Sequence, residues 1–160
     1  MSTILVIDDS PAHRGTIRAL PPVRHVGALL SAADAYVSNS FFEGWSVAAS
    51  EAAWVGLPLV LSDCGGSREL VGGGAWGRLV PNAVGDPLSV DPRSIRQPPA
   101  ETAEANEEAL AAALRDVAQQ RSEWKARAPE IRARARRDLG PEPMARAYAA
   151  LFRSLVGADR

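Results

Sequence analysis

Residues 40–71 read SFFEGWSVAASEAAWVGLPLVLSDCGGSRELV, and the rest of the chain takes its place around them. The preceding residues 35–40, AYVSNS, form a strand that runs into a turn carrying Glu43 and Gly44. The apolar spacing predicts a helix from Trp45 to Trp54, stopped by Gly56. Leu57 to Asp63 forms the next strand, and Gly65-Gly66 the next turn. Strand, helix and strand in that order are half of a doubly wound α/β unit, with the helix N-terminus opening at the carboxyl end of a strand. Glu43 precedes the helix and Glu51 lies about two turns inside it, so both can border one cleft.

The composite pattern resembles a known family. It runs from a strand ending in a small polar residue to aromatic-Glu-Gly and a second Glu after seven residues. Gly-Leu-Pro and a hydrophobic pair follow, then Gly-Gly and Glu-Leu-Val. It is similar to the donor-sugar half of GT-B glycosyltransferases, and most similar to the large retaining group of the glycosyl transferases group 1 type. Ala28 to Pro81 carries the specific likeness, and a weaker one extends to about Val156. The resemblance implies a Rossmann-like three-layer sandwich and a nucleotide-sugar donor. It also implies retention of anomeric configuration, no cofactor and no obligatory metal.

The residue types suit that chemistry. Backbone N–H groups at Trp45, Ser46 and Val47 can hold phosphate oxygens or sugar hydroxyls, and the helix dipole favours the anion. Gly44 lets a ligand approach the backbone closely. A carboxylate accepts two hydroxyl hydrogen bonds, as a ribose diol requires. The resemblance implies that role for Glu51, a donor-sugar or reaction-centre contact for Glu43, and a border with the nucleotide base for Val26 and Gly27. Read singly, either glutamate is equally a surface residue near a helix start.

Composition narrows the other possibilities. A chain of 160 residues is one domain by size, with 46% hydrophobic and 23% charged residues, as in an ordinary globular protein. A net charge of −1 gives no electrostatic argument for nucleic acid or an anionic membrane. The single Cys64 excludes an internal disulfide and reads as a small residue in a turn rather than a nucleophile. His13 and His25 stand apart and make no metal or triad arrangement. No apolar run reaches the length of a membrane span, the start has no basic leader region, and the cytoplasm is the default.

Three segments are expected along the chain: an α/β core over 1–81, a Pro-rich excursion over 82–105, and terminal helices over 106–157. The core opens with a strand at Thr3–Ile7 and a helix at Pro11–Leu20, capped by Ser10. A strand follows at Val23–Gly27, then a short helix at Ala28–Ala33 and the central unit. Ser67–Leu70 is a short helix, and Gly77–Val80 the closing strand. Asn106 is expected to cap the first terminal helix. The second runs from Glu123 to Arg137, kinked or split by Pro129. Its Arg127, Arg132, Arg134, Arg136 and Arg137 read as a solvated face. The third starts at Gly140-Pro141 with Met144, Tyr148, Leu151 and Leu155 as an apolar stripe.

The opening ILVIDDSP also resembles a response-regulator receiver, where paired acids hold magnesium. That reading needs an Asp after the third strand and a Lys after the fifth. Here those places hold Ser38-Asn39-Ser40 and Pro81, so Asp8 and Asp9 read as solvated turn acids. Against the glycosyltransferase pattern, the donor domain's first strand and its Arg and Lys are missing, along with the acceptor domain. The expectation is therefore a donor domain lacking its N-terminal unit. The Thr3–Asp8 and Ala35–Ser40 strands then pair directly in a five-stranded parallel sheet of order 2-1-3-4-5. A separate acceptor domain, or a second copy meeting the last helix, would be its partner. The alternative functions are a non-catalytic nucleotide-sugar-binding or interaction module, and a degenerate receiver-like domain.

Overall fold

The computed structural model describes residues 23–85 and 106–157. Among them lies a parallel sheet of three strands in the order β1-β2-β3: Tyr36–Ser38, Leu59–Ser62 and Gly77–Val80. Tyr36 stands opposite Leu59, and Leu59 opposite Gly77. The central strand β2 is buried along its whole length, which is why it reads as an unbroken apolar run rather than an alternating one. Leu59 and Val60 have no exposed surface, and burial of such side chains contributes roughly 1.5–3 kcal/mol each. Gly77 is required by this pairing: a Cβ there would overlap the backbone of Leu59.

Among the described residues six α-helices accompany the strands: α1 (Val26–Ser31), α2 (Val47–Val55), α3 (Ser67–Leu70), α4 (Glu107–Gln119), α5 (Arg121–Asp138) and α6 (Pro141–Gly157). Helix α2 connects β1 to β2, and α3 with a 3₁₀ turn at Gly72–Gly74 connects β2 to β3. Helix α4 packs on β2 and β3, while α5 lies along α2. The buried positions of α2 are all alanines, Ala49, Ala52 and Ala53. Gly56 ends the helix in the left-handed conformation, at φ 91°, and an added Cβ would sit 2.7 Å from the Ala128 carbonyl oxygen of α5. This α/β arrangement is consistent with a Rossmann-like fold.

Four sequence expectations need correction. Val23–Gly27 is not a strand: the His25 carbonyl accepts from the amides of Ala28 and Leu29, which commits that stretch to starting α1. Helix α2 begins at Val47, not Trp45, because the Ser46 hydroxyl accepts the Ala49 amide and makes Ser46 the cap. Helix α5 runs unbroken across Pro129. Pro129 and Lys125, whose carbonyl loses its partner there, both lie on the exposed side, where water can serve instead. Asn106 precedes α4 but its side chain does not cap it. Its side-chain amide donates to the side-chain oxygen of Asn39 at 2.7 Å and to the backbone carbonyl of Pro81 at 2.9 Å, and its own side-chain oxygen accepts from the Asn39 amide at 3.2 Å. The predicted strand Thr3–Asp8, its pairing with Ala35–Ser40, the helix Pro11–Leu20 and most of the Pro-rich excursion lie outside the described residues.

The arginines of α5 are more engaged than a solvated face implies. Arg127 donates to the Ala75 carbonyl at 2.6 Å and Arg132 to that of Val55 at 3.0 Å. The guanidinium carbons of Arg78 and Arg127 lie 5.1 and 4.8 Å from the Trp124 ring centre, and Arg134 covers Trp76. These contacts dock α5 on the end of α2 and on the segment that leads into β3.

Candidate functional site

Parallel strands leave their carboxyl ends on one edge of the sheet, and the turns that follow them gather there. The turn after β1 supplies Phe42, Glu43 and Gly44; the turn after β2 supplies Asp63, Cys64 and Gly65; the segment after β3 supplies Pro81 and Asn82. With Arg68 and Gly85 these residues line an open cleft of about 730 Å³.

The cleft walls are fastened to one another. Gly65 has φ 49°, and a Cβ on it would lie 2.0 Å from the Glu43 carbonyl oxygen and 2.2 Å from that of Gly44. Only a glycine permits this contact between the first two turns. The Gly66 amide then donates to the Gly44 carbonyl at 2.8 Å. Asn82 joins the third segment: its amide donates to the carbonyls of Phe41 at 2.9 Å and Asp63 at 3.3 Å, while its oxygen accepts the Val84 amide at 2.9 Å. Arg68 pairs with Asp63. Cys64 is buried and donates its thiol to the Ser40 carbonyl at 3.2 Å, a structural use.

Of the sequence-predicted site residues, Glu43 and Gly44 line this cleft. Ser46 is buried at the α2 N-cap, and the first helical amides, on Val47 and Ala48, have no acceptor within the helix. Val47 is exposed. Trp45 turns away from the cleft. Its indole donates to Ser50 at 3.1 Å, its ring rests on Gly66, and it lines a second groove with Glu69, Trp76, Arg134 and Met144. Glu51 is exposed on α2 and does not line the cleft. Val26 begins α1 and packs half-buried against the core.

Tyr36 opens β1 and is buried. Burial raises its phenol pKa above the ordinary 10.0, and the nearby charges of Glu43 and Glu51 push the same way, against the pull of hydrogen bonds with Ser46 and Ser38. Sequence reading missed Asp63, Arg68 and Asn82 as cleft residues. A signal existed for Asn82, since an asparagine just past a strand often bonds the amide two residues on.

Among the described residues no helix is long and apolar enough to cross a membrane, and no group of His, Cys, Asp and Glu could hold a metal ion. No curated protein and no solved structure matches the chain significantly. A family model described as Glycosyl transferases group 1 matches residues 7–89, just over half of the chain. The match takes in all three strands, α2 and every residue of the cleft, and the chain belongs to the glycosyl transferases group 1 family.

Proposed function

We propose that the chain is the donor-binding domain of a retaining GT-B enzyme. It holds a UDP- or GDP-linked sugar for hexosyl transfer to a hydroxyl acceptor carried by a separate domain, in the cytoplasm. The observation that carries the reading is the cleft at the carboxyl ends of the three strands, lined by Glu43 and Gly44 and followed directly by the start of α2. In this reading Glu43 contacts the donor sugar and Gly44 admits it. The backbone amides of Trp45, Ser46 and Val47 frame the diphosphate end, Glu51 accepts the ribose hydroxyls, and Val26 borders the base.

Titration calorimetry of the full chain with UDP and with GDP tests it. One of the two binds, and Glu51→Ala weakens that binding by roughly 1.5–3 kcal/mol, the range for a hydrogen bond to a charged group. Absence of binding by both nucleotides refutes the domain reading. Equal affinity of variant and parent refutes only the role of Glu51.

One observation favours the non-catalytic alternative. Arg68 is the only cation among the described residues that line the cleft, and Asp63 already pairs with it. A leaving diphosphate needs charge compensation, usually a large part of catalysis. Nucleotide binding without transfer to any acceptor, even with an acceptor domain added, would establish that reading.

A further inference from the structure

The donor-site reading leaves one cleft residue without a task. Phe42 lines the cleft, is 57% exposed, and is not among the apolar side chains packed on the core. Outside α6 no other aromatic ring among the described residues is as exposed. A single exposed phenylalanine on a loose loop would call for no explanation. Phe42 stands instead on a turn held from both sides. The Phe41 carbonyl accepts the Asn82 side-chain amide at 2.9 Å, and the Gly44 carbonyl accepts the Gly66 amide at 2.8 Å. Between them the Glu43 carbonyl is pressed so close to Gly65 that a Cβ there would lie 2.0 Å away. The backbone under the ring is thus fixed, and the fold holds an apolar face at the cleft.

The polar groups around that face are mostly committed. Asp63 and Arg68 pair with each other, Asn82 bonds three backbone groups, and the Cys64 thiol bonds the Ser40 carbonyl. The Glu43 carboxylate makes no hydrogen bond or ion pair among the described residues. What the cleft offers a ligand is therefore one aromatic face beside one carboxylate.

We propose that Phe42 and Glu43 together seat a neutral pyranose, its C–H face on the Phe42 ring and its hydroxyl edge at the Glu43 carboxylate. The inference rests on the donor-site reading and names the class of sugar that the site takes. A pyranose divides in this way: its ring hydrogens make an apolar face, and its hydroxyls project as donors around the rim. An aromatic ring suits the face, and a carboxylate, which only accepts, suits the rim. A uronic acid fits poorly, because its carboxylate would stand beside that of Glu43. The cleft adds to this repulsion: Glu43 and Asp63 against Arg68 leave one negative charge in excess among the described lining residues.

Titration calorimetry of the full chain tests the proposal. It compares the free nucleotide that binds, UDP or GDP, with its sugar-linked forms: UDP-glucose, UDP-galactose and UDP-glucuronate, or GDP-mannose and GDP-mannuronate. A neutral form binds at least about tenfold more tightly than the uronate, as expected for a like-charge contact avoided. Phe42→Ala weakens the neutral form about tenfold, the loss of one aromatic contact, and leaves free UDP or GDP unchanged. Phe42→Tyr keeps the parent affinity for both. The unchanged affinity for free nucleotide also shows that the variant keeps its fold. Absence of binding by either free nucleotide sinks the donor-site reading and this proposal with it. With nucleotide binding intact, three results overturn the proposal alone: Phe42→Ala changing neither affinity or both alike, a uronate bound as well as the neutral form, or no neutral form bound at all.

Discussion

Asn106 separates two accounts of the junction between the sheet and the terminal helices, and Asn106→Asp distinguishes them. Were Asn106 only a helix cap, aspartate would serve as well and the change in stability would be close to zero. The structure gives the residue another task. It is 1% exposed, and its amide group donates to Asn39 and to the Pro81 carbonyl. Aspartate cannot donate either bond, and each is worth about 1 kcal/mol. Placing a carboxylate there also costs desolvation, which the α4 dipole offsets by about 0.3–1 kcal/mol. The expected loss is about 2–3 kcal/mol, read at neutral pH as a lower urea midpoint at unchanged slope. Since the tether also fixes Pro81, next to Asn82 in the cleft wall, nucleotide affinity falls with it. An Asp variant within about 0.5 kcal/mol of the parent, the usual range for changes that touch no such feature, refutes the tether.

Two further outcomes are expected. Gly65→Ala places a methyl against the Glu43 and Gly44 carbonyls in a left-handed conformation. It should cost at least about 2 kcal/mol in urea unfolding and weaken UDP or GDP binding, and parent-like values for both contradict the close approach of the two turns. Burial raises the Tyr36 phenol pKa, so the folded state favours the protonated form. That stabilisation is complete below the unfolded value near 10 and is lost as pH rises through the higher folded value. Tyr36→Phe should remove this part of the alkaline loss of stability, and identical pH–stability curves for parent and variant would count against it.

What the sequence made legible is what local pattern encodes. The three described strands and α2 fall within a residue or two of their predicted places, because buried parallel strands are unbroken apolar runs and Gly56 is a strong stop. Glu43 and Gly44 were placed by the same turn that placed the helix. Val23–Gly27 failed because two valines in five residues make too weak a strand signal, and the His25 carbonyl, which accepts the first amides of α1, commits the stretch to the helix. The split at Pro129 failed because the proline and the carbonyl it leaves without a partner both face water. Asn106 was misassigned since its partner Asn39 lies 67 residues away, beyond any periodic signal. The cleft shows the same limit. Asp63, Arg68 and Asn82 meet Glu43 only because three turns converge at one sheet edge, a fact of topology rather than spacing.

The alanine face of α2 has a mechanical consequence. Where helices meet through large side chains, small displacements are absorbed by rotamer changes. The buried positions of α2 hold only methyl groups, and Gly56 brings its end against the Ala128 backbone of α5. Such a joint has almost no internal play. Any force that tilts α5 must therefore tilt α2 as well, and with it the amides of Val47 and Ala48 beside the cleft.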